Sequence, residues 1–446
     1  MDKKGIKRFI ENKYNNVKID YEEETKKIHD KYNTILAKHI EVYPPSTMFK
    51  IKSNNKKSQD YSLYTGSGGN TYLYWRIYLL NKNSLGSNSD LQIKALNYFK
   101  DAITSNCNLV KEDDSLEHYD PPPSFFMGPA GIFTMSCIYA VETKDEKMFN
   151  QNLKNLLSLK SICFSKSTEY EVLYGVAGYL YSLLLVSKIC KTQFTTFNLD
   201  LIIFDITKEL FKVGINFKKE YSTNCLVYPW PKNKVKNKKD IYLGAAHGVF
   251  GCLYMFIKSL TYLKNYKDDL ILKISNEVKS SLDFLITIQY ESGNFPSDYG
   301  NFKDDNKLHF CHGATGAVYL FTAAYEFYQD ETYLKVALKA GEDIWKRGIL
   351  MKGNCVCHGI VGNAYALFNL YKNTKDIEWR RRGYCFVNAT FDDEIQKECR
   401  NLDDPQRLVQ GIPDTPYSLM EGNGGLLCLL SDVVNSENLV FPGFEL

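Results

Sequence analysis

The feature that most constrains the fold of this chain is a Gly-x-x-Gly word that recurs at the start of apolar helical patterns. The first glycines of successive copies are 46 to 73 residues apart. An interval of that length holds about two helices of ordinary size, roughly 10–14 residues each, with their loops. The copies are Gly66-Ser-Gly-Gly69, Gly128-Pro-Ala-Gly131, Gly175-Val-Ala-Gly178, Gly248-Val-Phe-Gly251, Gly313-Ala-Thr-Gly316, Gly359-Ile-Val-Gly362 and Gly422-Asn-Gly-Gly425. Seven copies of one word predict a fold of repeated helix pairs.

The two helices of each pair differ in character. Segments that follow the word, such as residues 179–186 and 317–324, are apolar nearly all round, which predicts a buried inner layer. The segments between them are amphipathic, as in residues 332–348. Since no stretch shows a convincing series of alternating strands, we expect an all-α fold, an α/α toroid of seven inner and seven outer helices. We divide the chain into an N-terminal helical extension over residues 1–45 and a single barrel domain over 46–446.

Composition excludes several classes of function. The 446 residues are 44% hydrophobic and 24% charged, which is typical of a soluble globular protein. A net charge of +3 implies neither a nucleic-acid partner nor an acidic membrane surface. The apolar runs are too short for a transmembrane segment, and the opening residues lack an apolar signal segment, so we expect a cytoplasmic location. Most of the 12 cysteines then pack as reduced thiols.

Two copies of the word are preceded by the same pair of side chains, which gives Cys-His-Gly at Cys311 and again at Cys357. Thiolate and imidazole are side chains that zinc prefers. The strongest candidate set is Cys311, Cys357 and His358, which would hold one zinc per chain and leave the fourth tetrahedral position open, as in catalytic sites. The alternative is a pair of buried cysteines beside capping histidines.

Four neighbouring side chains have less certain roles. His312 follows Cys311 and competes as a metal ligand. His309 is a candidate to contact a metal ligand and orient it without binding the metal itself. Cys355 offers an alternative thiolate, although packing in the core explains it more simply. A third copy of the word, at His247, keeps the histidine and lacks the cysteine, so we interpret His247 as a general acid or base.

The sequence resembles the eukaryotic LanC-like (LANCL) proteins, which are relatives of the bacterial lanthionine cyclases. The resemblance runs from about residue 60 to the end, and Phe441-Pro-Gly-Phe-Glu-Leu446 also matches. It is carried by Tyr64-Thr-Gly-Ser-Gly-Gly69, Glu171-Val-Leu-Tyr-Gly175, Gly244-Ala-Ala-His-Gly248, Cys311-His-Gly-Ala-Thr-Gly316, Cys357-His-Gly-Ile-Val-Gly-Asn-Ala-Tyr365 and Pro413-Asp-Thr-Pro-Tyr-Ser-Leu-Met-Glu-Gly422.

The resemblance implies the toroid, the zinc ligands named above and bound glutathione with its sulfur toward the metal. It also implies that His247 is catalytic, with Glu171 at the position of a bacterial aspartate, and that Lys352 and Arg8 contact glutathione. The family usually has an arginine just before Pro-Asp-Thr-Pro. Here Gln410-Gly-Ile412 stands there instead, and Arg407 is the nearby candidate to replace it.

The function that follows is that of a zinc-dependent glutathione transferase. Zinc would lower the pKa of the glutathione thiol, and the thiolate would add to dehydroalanine or dehydrobutyrine in a peptide or protein. His247 would then supply a proton to the enolate. The alternative is a non-catalytic glutathione-binding signalling adaptor, for which the lysine-rich residues 232–239 would be a partner-binding loop. Lanthionine synthesis of the bacterial type would additionally need a precursor peptide and a dehydratase.

Overall fold

The computed structural model describes residues 7–47, 49–53, 56–85, 90–111, 122–165, 168–190, 198–230, 240–399, 415–435 and 439–446. Within these ranges the inner helices are α2 (Gly69–Leu85), α4 (Pro129–Thr143), α6 (Val176–Cys190), α8 (Val249–Tyr262), α10 (Ala314–Tyr328), α12 (Ile360–Thr374) and α15 (Asn423–Asn435). The outer helices are α1 (Tyr21–Val42), α3 (Asp90–Lys111), α5 (Glu146–Ser158), α7 (Asp200–Glu220), α9 (Asp269–Thr287), α11 (Glu331–Arg347) and α13 (Ile377–Ala389). A 3-10 turn (Leu159–Ile162) and a short helix, α14 (Asp393–Cys399), complete the helical elements.

The inner helices form a closed ring. Each packs against the next in the order α2, α4, α6, α8, α10, α12 and α15, and α15 packs against α2. Each also packs chiefly against one outer helix, which is the following helix in sequence for every member except α15. The outer partner of α15 is α1, so the N-terminal helix occupies the seventh outer place. The predicted all-α toroid is confirmed in the described residues, and the division of the chain at residue 45 stays a prediction.

A two-stranded antiparallel hairpin, β1 (Phe49–Ser53) with β2 (Lys56–Asp60), stands beside this helical architecture. The hairpin was not predicted from the sequence; its second strand is polar throughout and shows no alternation of apolar and polar residues. None of the helices in the described part of the chain is long and apolar enough to cross a membrane.

Outer and inner helices begin in different ways. An aspartate caps five of the outer helices, with its carboxylate accepting a first-turn backbone N–H at 2.8–3.1 Å. Each inner helix begins at its glycine word. The first glycine of every word lies against the backbone of the residue six positions earlier, where a Cβ atom would collide with it. The glycines are therefore required by close backbone packing, which folds every loop before an inner helix into the same tight turn.

Backbone hydrogen bonds join these loops to one another at one end of the barrel. Phe310 N donates to Cys357 O at 3.0 Å, and Ala245 N donates to Phe310 O at 3.1 Å. The other links are Leu63 N to Phe126 O, Phe125 N to Gly178 O, Leu173 N to Ala246 O, Cys357 N to Met420 O and Met420 N to Tyr64 O. Side chains carried by these loops consequently face one shared opening, which we call the mouth of the barrel.

Candidate functional site

The two residues before each glycine word line the mouth in a regular way. The residue two positions before the first glycine is buried in every copy, and the residue immediately before it is half-buried. The buried set is Tyr64, Phe126, Leu173, Ala246, Cys311, Cys357 and Met420. The half-buried set, which we call the rim, is Thr65, Met127, Tyr174, His247, His312, His358 and Glu421. The repeated turn thus presents one side chain from each described loop to the mouth.

Cys311, Cys357 and His358 come together at adjacent positions of this ring. Their ligand atoms all lie within 4.8 Å of one another, and they form the group in the described residues that can hold a metal ion. A tetrahedral zinc with Zn–S bonds of about 2.3 Å needs ligand atoms roughly 3.5–3.8 Å apart. Two sulfurs and one imidazole nitrogen at this spacing fit zinc after small side-chain movements. Their assignment as zinc ligands stays a prediction.

Burial controls the protonation of the thiol at this site. It raises the pKa of Cys357 well above its ordinary value, with the neighbouring Cys311 adding to the shift. The thiol is therefore protonated at neutral pH unless a cation replaces the proton. Because zinc binds thiolate, metal binding at these residues would release a proton and depend on pH.

Three of the four neighbours with less certain roles, His312, His309 and Cys355, lie outside this group. His312 stacks on His247, with ring centroids 5.3 Å apart, and burial lowers its pKa to about 2. His309 lies behind the ligands, with its Nδ1 4.0 Å from the Cys311 sulfur, and burial holds its pKa well below the usual value. Cys355 is fully buried, and its sulfur accepts the backbone N–H of His358 at 3.2 Å. These positions suit the support of ligands more than metal coordination.

His247 and Glu171 form the second pair of the site. The Nδ1 of His247 lies 3.6 Å from Oε2 of Glu171, which is an ion-pair distance. The Glu171 carboxylate is buried and accepts the backbone N–H groups of Leu173 at 3.0 Å and Tyr174 at 2.6 Å, so the loop fixes its position. Burial by itself lowers the pKa of His247, but the neighbouring Glu171 more than compensates and the net pKa is raised. A raised pKa favours the imidazolium, which is the form that can donate a proton.

The pair lies near the candidate metal ligands: the His247 ring stacks on His312, the residue after Cys311, and the charges of Cys357 and His358 also act on the pKa of His247. Aromatic rings enclose the imidazole on the other sides. Trp230 meets it edge-on at 5.2 Å, and Tyr242 lies at 6.2 Å. The His247 side chain remains 22% exposed, so a substrate at the mouth can reach it.

The structure brings two of the three predicted glutathione contacts to one edge of the mouth. Burial lowers the pKa of both His309 and His312, and the positive charge of Lys352 adds to both shifts, so Lys352 lies on their side of the mouth. Arg8 lies next to it in the backbone, because Arg8 O accepts the N–H of Met351 at 3.0 Å. Arg407 lies outside the described residues, as do residues 232–239 and the Pro413-Asp414 part of the motif.

Two members of the site were not predicted from the sequence. Tyr64 is buried, and its pKa is raised by burial and by the neighbouring Cys357 and Cys311, so its phenol lies at the candidate metal site. Glu421 belongs to the rim, and its charge raises the pKa of Tyr64 and Tyr174. Tyr64 stands two residues before its glycine word, as Cys357 does, and Glu421 stands one residue before its word, as His358 does. Aligning all copies of the word, including those without cysteine or histidine, would have found them.

Comparison with known proteins identifies the family of this chain. A sequence model of the family described as lanthionine synthetase C-like protein matches residues 57–446. The chain belongs to this family. A relative from Danio rerio named glutathione S-transferase LANCL1 is 29% identical over 405 residues, which cover 90% of this chain and 89% of the relative. LanC-like protein GCL1 from Arabidopsis thaliana is 27% identical over 279 residues, 62% of this chain and 58% of that protein.

A solved structure of nisin cyclase shares the fold of this LanC-like chain. The two superpose with a TM-score of 0.57 at 17% identity, covering 91% of this chain and 94% of the cyclase. At that identity the similarity establishes the barrel architecture and leaves the chemistry to be argued from the site.

Proposed function

We propose that this LanC-like protein is a zinc-dependent glutathione transferase that adds the glutathione thiolate to dehydroalanine or dehydrobutyrine residues in peptides or proteins. The observation that carries the proposal is the convergence of Cys311, Cys357 and His358, on the two loops that follow the loop of His247, which pairs with Glu171. The name of the Danio rerio relative supports the transferase class. The proposal keeps the cytoplasmic location expected from the sequence.

The residues of the mouth divide the chemistry between them. Bound by its three ligands, zinc would lower the pKa of a thiol at the open fourth position, so that thiolate is available at neutral pH. The new carbon–sulfur bond forms at the β-carbon of the dehydroamino acid. The π electrons of the carbon–carbon double bond move toward the carbonyl group as that π bond breaks. His247, held as imidazolium by Glu171, donates the proton that the α-carbon requires. The glutathione thiol loses one proton and the α-carbon gains one, so the addition is balanced in protons.

Cations at the edge of the mouth would orient glutathione, which carries two carboxylates. Lys352 is half-buried there, and the backbone pairing of residues 8–10 with residues 349–351 fixes Arg8 beside it. Asn12 holds this N-terminal segment by donating from Nδ2 to Trp345 O at 2.6 Å. We propose Lys352, Arg8 and Arg407 as contacts for the glutathione carboxylates, where charge-assisted hydrogen bonds would set its orientation.

The test is mass spectrometry of a dehydroalanine peptide incubated with the protein, zinc and glutathione. We expect the peptide to gain the mass of one glutathione. His247→Asn should slow this conversion by about 10²–10⁴-fold, the contribution of a general acid, while zinc and glutathione remain bound. His29→Asn is the matched control, since His29 is exposed on α1. Binding of zinc and glutathione by the wild-type protein without any adduct would refute the transferase and favour the signalling adaptor.

A further inference from the structure

The last residues of the chain lie inside the inner ring. Phe441 and Phe444 are both fully buried. The Phe441 ring stacks on Phe310 with centroids 4.4 Å apart and an interplanar angle of 29°, and Phe444 meets the same ring edge-on at 4.8 Å. Phe310 immediately precedes Cys311 in sequence. The tail, which we define as Phe441–Leu446, therefore lies directly beneath the loop that carries the first candidate zinc ligand.

Phe310 is also the point at which three loops of the site meet. Its N–H donates to Cys357 O at 3.0 Å, and its carbonyl accepts the N–H of Ala245 at 3.1 Å. Ala245 lies two residues before His247 on the same tight loop. A displacement of Phe310 would consequently move Cys311 and disturb the loops that carry Cys357 and His247.

The tail is fixed at both of its ends by specific contacts. Glu445 accepts from Lys372 Nζ at 2.7 Å and from the backbone N–H of Phe441 at 3.1 Å. Phe444 stacks on Tyr254 of α8 with centroids 4.3 Å apart. Gly443 has φ of +70°, and a Cβ there would collide with the ring of Phe126. A segment anchored in this way is a rigid support, because its own conformation is determined by the barrel that surrounds it.

We propose that the tail is the floor of the site and that Phe441 is a positioning residue for the metal ligands, acting through Phe310. This inference rests on the proposed zinc site. Aromatic stacking fixes both the distance and the tilt of the Phe310 ring. The chain thereby uses its own tail to set the spacing between Cys311 and Cys357, which are carried by different loops.

The test compares Phe441→Leu with Phe149→Leu in the full-length protein. Phe149 is equally buried, but it lies on α5 of the outer layer. Zinc affinity is measured by competition with a chromophoric chelator, and the coordination geometry by the visible absorption of the cobalt(II)-substituted protein. We expect Phe441→Leu to lower zinc affinity by about 10–100-fold, as loss of a ligand-supporting residue does, and to change the cobalt spectrum. Phe149→Leu should change neither property.

A second experiment removes the tail and returns it as a peptide. A chain ending at Val440 should bind zinc weakly, and the peptide Phe-Pro-Gly-Phe-Glu-Leu added in trans should restore affinity and the wild-type cobalt spectrum. Should the shortened chain lose its helical circular dichroism, the comparison of the two leucine variants decides the question. Equal zinc affinity and an unchanged cobalt spectrum in Phe441→Leu would overturn the inference while leaving the zinc site intact. Failure of the wild-type protein to bind zinc would refute the proposed function itself.

Discussion

Replacing Glu171 with glutamine tests whether the charge beside His247 sets the pH range of the reaction. The carboxylate lies 3.6 Å from the imidazole, and an opposite charge at such a distance favours the protonated imidazole. Loss of the charge should therefore lower the pKa of His247. For each unit by which that pKa then lies below the assay pH, the imidazolium fraction falls about tenfold, so the rate at neutral pH should fall by about tenfold per unit.

The sign of the pH effect follows from the role of the imidazole. The proton donor is active in its protonated form, so the contribution of His247 is lost as the pH rises through its pKa. Since Glu171 raises that pKa, the wild-type protein keeps its proton donor to a higher pH than an isolated histidine would. In Glu171→Gln the loss of activity with rising pH should begin at a lower pH than in the wild-type protein.

The substitution also costs folding stability, and the assay must separate that effect from the change in the pH profile. Glutamine has one oxygen where glutamate has two, so either Leu173 N–H keeps only Ala246 O as its acceptor or Tyr174 N–H loses its acceptor. An unsatisfied buried donor costs about 1–3 kcal/mol of folding free energy. Such a loss lowers the resistance to urea without moving the pH profile.

The assay is adduct formation from pH 5 to 9, with zinc content and urea unfolding measured on the same preparations. Glu291→Gln, at an exposed position, is the control and should keep the wild-type profile. A uniform loss of rate with an unchanged pH profile would show that Glu171 acts only through the backbone of its loop. An unchanged rate would exclude His247 as the donor or Glu171 as its partner.

Three further predictions concern the metal and glutathione. Cys357→Ala should lose most of the bound zinc in metal analysis, whereas Cys355→Ala should keep it, and equal retention would refute the ligand assignment. Lys352→Met should weaken glutathione binding in calorimetry by about 10-fold or more, the effect of removing a charged hydrogen bond, while Lys346→Met on the exposed face of α11 should not. Chelation should leave the helical circular dichroism largely intact, because helix packing holds the ring together, and unfolding would indicate a structural metal.

The inner layer of this fold was predictable because its signal is local and repeated. Each glycine word marks the first turn of an inner helix, and the structure begins those helices where the words predict. The place of α1 was not predictable in the same way. Its charged, amphipathic sequence indicates a helix on a surface, but its packing against α15 joins segments that are nearly 400 residues apart. Ring closure is a long-range contact, and a local pattern does not show it.

The residues of the candidate site also differ in whether a local, repeated pattern identifies them. Cys311, Cys357 and His358 belong to two copies of one sequence word, so the repetition itself identifies them as a set. Trp230 and Phe441 have no such word, and they reach the site through loop and tail paths that single-sequence patterns do not encode. The resemblance to LanC-like proteins supplied Glu171, whose position beside His247 the geometry then explains.

The repeated turn also explains how a barrel of similar units can have an asymmetric site. Its glycines are required by backbone contact, and its backbone polar groups are used in bonds between loops, so the variation that reaches the mouth is in the two side chains before each word. In ring order, the rim residues His247, His312, His358 and Glu421 are consecutive, which gathers the histidines and the carboxylate of the rim in one half of the mouth. Thr65, Met127 and Tyr174 complete the other half. Substitutions at equivalent positions of the repeated turn thus bring the reactive side chains together. The ring of inner helices keeps its fold.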